Sequence, residues 1–203
     1  MKDPNLTQVL ETAFDDEKAK IHTALPCRVL KFNAQDNTVQ VEFMINELNR
    51  DGISIELPPA DYVPVQFFRG GDFVVTTPIK KGDFGLCIFS ERCIDTWFVM
   101  AKKQEPPDAR MHDYSDGFFL TGFSPRPSAV KDVDLDGICL RTLDKSTYLK
   151  LTKGTIFING NIQHQGNYQL SGIMANNDTI SSGVSLKDHT HKGDSGGTTS
   201  KPK

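Results

Sequence analysis

The last third of the chain has the pattern of β-strands and turns, but it carries too few large apolar side chains to form a core alone. Between Gly137 and Leu186, turns are expected at Lys153-Gly154, Asn159-Gly160-Asn161 and Gly166-Asn167. One apolar row runs along the strands between them, because alternate side chains share a face; it contains Leu149, Leu151, Ile156, Ile158 and Ile162. A small meander of this kind is marginal in water. Three copies wound around an axis would bury the row and pair the strand edges, which predicts an intertwined trimeric β-helix or β-prism.

Two histidines follow this β segment one residue apart, at His189 and His191. In an extended strand both imidazoles point to the same side and form one pair, which alone is a weak metal site. If three chains met on an axis here, one ion could receive six imidazole nitrogens. The alternative is a solvated polar stretch without a ligand. His22, His112 and His164 are scattered singly and are interpreted as packed or surface residues.

The position of the two histidines sets a geometric condition. Strict alternation places them on the face opposite Val184 and Leu186, so apolar side chains and histidines cannot both point inward. We therefore predict a kink between Leu186 and His189. The polar tail that follows, up to residue 203, either folds back around the chain end that carries the two histidines or is disordered.

The first half of the chain has a different organisation. Residues 1–21 have apolar side chains at helical spacing, with Asn5 and Gln8 placed as a capping box. Residues 22–104 contain short alternating segments separated by turns, which predicts an OB-like barrel. The expected strands are Cys27 to Phe32, Thr38 to Ile45, Ile53 to Leu57, Tyr62 to Phe68, Phe73 to Thr77, Phe84 to Ser90 and Trp97 to Met100.

Three further boundaries complete the predicted organisation. Gln104-Glu105-Pro106-Pro107-Asp108 interrupts regular structure, so 105–136 is predicted as a linker and extended connecting segment with little secondary structure. The trimeric β-helix is predicted over 137–188. Residues 189–203 form the apex with its polar tail. The predicted fold class is all-β, with an N-terminal helix, an OB-fold barrel and a trimeric β-helix or β-prism that ends in a metal-bound tip at the two histidines.

Composition excludes several classes of partner. The net charge is −3, from 23 basic and 26 acidic residues, so nucleic acid and anionic membranes are not expected to bind through bulk electrostatics. The chain has no apolar run near 18 residues and no signal-peptide pattern, which predicts synthesis in the cytoplasm. Its four cysteines lack C-x-x-C spacing and lie among strand-like apolar residues, which predicts buried thiols.

Two short motifs suggest other functions. Gly193-Asp194-Ser195-Gly196-Gly197 matches the nucleophile motif of trypsin-like proteases, but only six residues follow it and no second barrel precedes it. Asp132-Val133-Asp134-Leu135-Asp136-Gly137 resembles the start of an EF-hand loop, yet its twelfth position is Leu143 instead of a glutamate. We interpret the first motif as part of a polar tail and the second as a solvated acidic turn. The sequence predicts no enzyme.

Four segments together resemble one family, the central spike proteins of contractile-tailed bacteriophages, of the small lysozyme-free type found in phages phi92, P2 and Mu. They are Val63-Pro64-Val65 with Lys81-Gly82-Asp83-Phe84-Gly85-Leu86, Ser90 to Trp97, Arg110 to Gly117, and Gly183 to His191. The resemblance covers about residues 22–193, and its last segment is the most specific. It implies a homotrimer whose OB domains sit under the baseplate hub protein and whose β-helix tapers to a point.

The resemblance also implies what the histidines do. In such spikes, paired histidines of three chains hold one structural iron ion, so the ligands here would be His189 and His191. Six imidazoles suit octahedral Fe(II), whereas structural zinc prefers four ligands. The expected location is the distal tip of the tail baseplate in the virion, and the expected action is piercing of the host outer membrane without contact to nucleic acid.

Two alternatives remain open. One is an OB-fold module that binds carbohydrate or nucleic acid and has a disordered tail; it predicts a monomer with a ligand groove and no metal. The other is a hydrolase that uses Ser195, which predicts covalent labelling by a serine-reactive phosphonate.

Overall fold

The computed structural model describes residues 5–49, 51–167, 169, 179–181, 184–193 and 195–201. The chain divides into two compact units, residues 1–133 and residues 134–203. In unit 1 the helices are α1 (Leu6–Ala19) and α2 (Asp95–Met100), and the strands are β1 (Ala24–Asn33), β2 (Thr38–Phe43), β3 (Glu47–Leu48), β4 (Ser54–Ile55), β5 (Ala60–Gln66), β6 (Phe68–Gly70), β7 (Phe73–Val75), β8 (Phe84–Phe89) and β9 (Gly117–Thr121). In unit 2 the strands are β10 (Ile138–Arg141), β11 (Tyr148–Thr152), β12 (Thr155–Asn159), β13 (Ile180–Ser181) and β14 (Val184–Ser185). Within the described ranges, no helix is both apolar enough and long enough to span a membrane.

Helix α1 begins with the predicted capping box. The backbone amide of Gln8 donates to the Asn5 side chain at 2.9 Å, and the Asn5 amide donates to the Gln8 side chain at 3.0 Å. These two bonds satisfy amides that a helix start leaves without intrahelical partners. The apolar side chains of the helix, among them Leu6, Leu10 and Phe14, are all exposed.

Unit 1 is built around a closed five-stranded barrel in the order β1-β2-β5-β9-β8. Strands β5 and β9 are parallel, whereas the other neighbours in the barrel are antiparallel. This arrangement matches the five-stranded Greek-key barrel of OB domains. The predicted barrel is therefore confirmed.

The barrel core follows from alternation along its strands. In β2, Val39, Val41 and Phe43 are buried, and the side chains between them are less buried, as a strand with one inward face requires. Cys27 and Cys87 lie in the same core, where burial raises the pKa of both thiols to about 12. The prediction of buried thiols is confirmed for these two and for Cys93, while Cys139 is half-buried.

The structure corrects two predictions in unit 1. Strand β9 lies inside the predicted connecting segment 105–136, so the barrel extends to Thr121 instead of ending at residue 104. Its Phe119 is fully buried, and a Cβ on Gly85 would lie 2.3 Å from the Phe119 ring, so this strand passes against a glycine that leaves room for it. Residues 95–100 form helix α2, where a strand was predicted over 97–100.

Unit 2 contains a three-stranded antiparallel sheet in the order β10-β11-β12. Its register aligns Ile138, Leu151 and Ile156 across the sheet, and likewise aligns Leu140, Leu149 and Ile158. We call these six side chains the aliphatic face. Five of the six are exposed and Leu149 is half-buried. The predicted apolar row is therefore present for Leu149, Leu151, Ile156 and Ile158, and the described residues leave most of it exposed, while Ile162 lies outside the sheet.

The remainder of unit 2 differs in part from the predicted strands. Residues 161–167 form no strand, although Ile162 to Gln165 was predicted as one. Tyr168 and Leu170, predicted as part of the next strand, lie outside the described residues. Strands β13 and β14 pair Ile180 with Ser185, four residues before His189.

Candidate metal centre

A turn separates the two histidines from the last strand. Strand β14 ends at Ser185 and residues 186–188 form a turn. The Asp188 amide donates to the Ser185 hydroxyl at 2.7 Å, and the His189 amide donates to the Ser185 carbonyl at 3.2 Å. The chain therefore changes direction between Leu186 and His189. The kink predicted from side-chain parity is present.

The ring of His189 is held by the same carbonyl. Its Nδ1 lies 2.7 Å from the Ser185 carbonyl oxygen. Because a carbonyl can only accept, Nδ1 carries the proton, and the neutral ring then presents the lone pair of Nε2. Histidines that bind metals commonly donate their other N–H to a backbone carbonyl in this way. Ser185 thus holds the His189 ring in an orientation that leaves Nε2 able to accept a metal.

The ring of His191 lies next to that of His189. The ring centroids are 5.1 Å apart and the planes are perpendicular. The backbone of His191 is paired with Thr199: the His191 amide donates to the Thr199 hydroxyl at 2.8 Å, and the Thr199 amide donates to the His191 carbonyl at 2.9 Å. The tail therefore folds back, which was one of the two alternatives.

The fold-back gives a local role to the segment that resembles a protease motif. Lys192 pairs with Thr198, and the Gly193 amide donates to the Gly197 carbonyl at 2.7 Å. Gly196 has a φ of +81°, a conformation that glycine adopts at little cost. The glycines of this segment thus lie in the turn of a short hairpin.

One chain supplies two imidazoles, which is an incomplete set for any metal with four or six ligands. The donors are ring nitrogens, and the His189 ring is already held through its other nitrogen, Nδ1, by a backbone carbonyl. Three such pairs would form an N₆ set suited to octahedral Fe(II). The donor chemistry therefore fits the iron that the resemblance implies, for which His189 and His191 would be the ligands.

A second cluster with metal-ligand chemistry lies in unit 1, where Cys93, Asp95 and Asp116 converge. A guanidinium occupies this cluster. Arg110 Nε and Nη2 donate to the two Asp116 oxygens at 2.7 and 3.0 Å, and Nη2 also donates to Asp95 at 2.8 Å. Asp116 is 0% exposed and accepts a further bond from the Ile94 amide at 2.9 Å. The cluster is an ion pair that joins the start of α2 to the start of β9.

This ion pair also sets local electrostatics. The hydrogen bond from Arg110 lowers the pKa of Asp95, and the two carboxylates raise the pKa of Arg110. Removing one partner of a buried pair leaves an uncompensated charge, which typically costs about 3–5 kcal/mol. Sequence patterns do not reveal this contact, because Arg110 and Asp116 are six residues apart in an irregular segment without a periodic signal.

The acidic stretch of unit 2 is occupied in a similar way. Lys150 Nζ lies 2.8 Å from Asp134 and 2.7 Å from Asp136, and these bonds lower the pKa of both carboxyls. The two carboxylates thus converge on an ammonium group. This arrangement agrees with an acidic turn instead of a calcium loop.

The barrel carries a cavity of about 630 Å³ beside the β6-β7 hairpin. Its lining includes Phe67 and Phe73 together with one cation, Arg69, and one anion, Asp72. Stacking surfaces for oligonucleotides usually combine aromatic rings with a positively charged groove. Here the charges balance, so the cavity lacks a cationic lining.

The fold and the site define an N-terminal five-stranded barrel domain followed by a β unit that has an exposed aliphatic face and a histidine-bearing turn. Residues 25–122 match the model of a family described as "Phage protein Gp138 N-terminal domain". The match begins one residue into β1 and ends one residue after β9, so it covers the barrel. It supports a phage protein with a structural role in the virion. No curated protein matches the chain.

Proposed function

We propose that this protein is the central spike of a contractile phage tail. Three copies form a needle at the distal tip of the baseplate, with the barrels beneath the hub protein and the histidines at the apex. Sheath contraction drives the needle through the host outer membrane. The protein is non-enzymatic, and His189 and His191 of the three copies hold one Fe(II).

The exposed aliphatic face is the observation that carries the proposal. Five of its six side chains are exposed in a single chain, and Ile156 alone is 64% exposed. Burying an aliphatic side chain of this size typically stabilises by about 1.5–3 kcal/mol. A second and third copy of the same sheet would cover the face with surfaces of the same kind. A trimer therefore supplies the core that the sequence of unit 2 lacks.

The histidine turn supports the same assembly. A bound ion would clamp three chain ends that would otherwise fray. The Ser185 carbonyl orients His189 before the ion binds, which lowers the cost of ordering the ligand. Rigidity is the property that a piercing needle requires, and both a buried axial row and a clamped apex contribute to it.

Unit 1 presents surfaces for the proposed contact with the hub. Helix α1 exposes its whole apolar stripe. A stripe of this kind packs against a partner or against a neighbouring copy.

Localisation in the virion tests the proposed function. An antibody against residues 137–203 is expected to label the distal end of the tail in electron micrographs of purified phage. An antibody against the tail-tube protein serves as the control and should label along the tail only after disruption of the sheath. Labelling of capsids or tail fibres, or no labelling of intact particles, would contradict the assignment.

A second candidate function has one observation in its favour. The β6-β7 hairpin exposes Phe68 and Phe73, at 79% and 83%, next to the barrel cavity. An OB-fold module that binds an oligosaccharide would use aromatic rings of this kind. This candidate predicts a monomer with saturable carbohydrate binding that is lost in Phe73→Ala.

A further inference from the structure

We propose that the C-terminal hairpin, residues 191–201, is a clasp that positions His191 for the metal. This inference rests on the proposed function and assigns a role to residues beyond the two ligands. Thr199 is its central positioning residue. The ligand class is a six-coordinate, first-row divalent cation, with Fe(II) as the expected ion.

The two histidines are anchored from opposite directions along the chain. His189 is fixed from upstream, because its amide and its Nδ1 both bond the Ser185 carbonyl. His191 is fixed from downstream, because its amide and its carbonyl both bond Thr199, eight residues later. The position of the second ligand therefore depends on residues that follow the metal-binding motif.

The hairpin is closed by further contacts along its length. Lys192 pairs with Thr198, and the Gly193 amide donates to Gly197 at 2.7 Å. At the open end, Lys201 Nζ lies 2.5 Å from an Asp188 carboxylate oxygen, so the tail is also tied to the turn before His189. These two side chains are largely exposed, so this ion pair is worth less than the backbone pairing.

Such a clasp matters for a shared ion because each of the three copies would contribute one clasp, and all three would act on the same ion. A ligand held in its bound position loses less conformational freedom on binding. One hydrogen bond has a modest net effect, but three symmetry-related bonds act on a single ion. From typical hydrogen-bond strengths, losing all three is expected to weaken metal retention about 10- to 1000-fold.

The test uses Thr199→Val in the full chain, which removes the hydroxyl that accepts from the His191 amide and keeps the size of the side chain. Thr198→Val makes the same change one residue earlier, where the contact to Lys192 is through the backbone. Thr199→Ser restores the hydroxyl. Iron is loaded as Fe(II) without oxygen, and its loss to excess bipyridine is followed by absorbance.

Thr199→Val trimers are expected to release iron at least tenfold faster than unaltered trimers, while Thr198→Val and Thr199→Ser retain the unaltered rate. With Co(II) in place of iron, the ligand-field absorption of Thr199→Val should change, because the geometry at His191 relaxes. Equal release rates and equal Co(II) spectra in all variants would overturn the clasp and leave the metal site intact. A trimer that binds no metal in the unaltered chain would overturn both the clasp and the metal site of the proposed function.

Discussion

An Ile156→Asp substitution is expected to convert the trimer to monomers at micromolar concentration. Ile156 lies at the edge of the β10-β11-β12 sheet, pairs with Leu151 and is 64% exposed in a single chain. In the proposed trimer this position is buried, so the variant would place three carboxylates in an apolar interface. Each unpaired buried charge costs several kcal/mol. Sedimentation equilibrium measures the change in mass directly.

The neighbouring residue supplies a matched control. Thr155 is exposed and pairs with Thr152, and its side chain points to the other face of the sheet. Thr155→Asp adds the same charge one residue away and should leave the trimer intact. Circular dichroism should show the barrel signal in both variants, because the barrel lies in the other unit. A trimeric Ile156→Asp protein would show that the aliphatic face is not the interface.

The second large effect is expected from His189→Ala combined with His191→Ala. Iron content should fall from about one ion per three chains to background, because six of six nitrogen ligands are lost. The trimer itself should persist, since the aliphatic face is unchanged. Chelation should lower the free energy of unfolding of the unaltered trimer. The expected loss is about 4 kcal/mol if free iron had been present at 1,000 times its dissociation constant. Chelation should have no effect on the variant.

His164→Ala is the control for this pair. His164 lies in the same unit, and its Nε2 is 3.0 Å from the Asn167 carbonyl, so the substitution removes an imidazole without touching the proposed site. Metal analysis by mass spectrometry should find the unaltered iron content in this variant. Full iron retention in the double histidine variant would show that the ion is bound elsewhere.

Local sequence signals predicted the parts of the fold that depend on neighbouring residues. The capping box of α1 needs only Asn5 and Gln8, and it is present. The register of β11 and β12 needs a tight turn at Lys153-Gly154 and an alternating pattern, and it is also present. The kink before His189 followed from side-chain parity alone.

The errors in unit 1 occurred where distant contacts decide the structure. Strand β9 is short, lies among glycines and prolines, and is parallel to β5, which is far away in the chain. Helix α2 is a short apolar run, and such runs fit a strand or a helix equally well. Trp97 of this helix packs edge-on against Phe118, a contact that no local pattern shows.

The candidate site divides in the same way. The spacing of His189 and His191 identified the pair, but the anchors do not follow from spacing. Ser185 acts through its backbone carbonyl, which is invisible in a side-chain pattern. Thr199 acts across a hairpin whose glycines also fit a protease motif and a polar tail. The histidine pair was therefore predictable, and the groups that hold it in place were not.

Native mass spectrometry of the full chain, purified without chelators, tests the shared metal site directly. The expected species contains three chains of 22.6 kDa each and one iron ion. Mild acid should remove the ion and leave the three chains associated. A monomer, or a trimer that carries no metal or one ion per chain, would contradict a spike closed by a single shared ion.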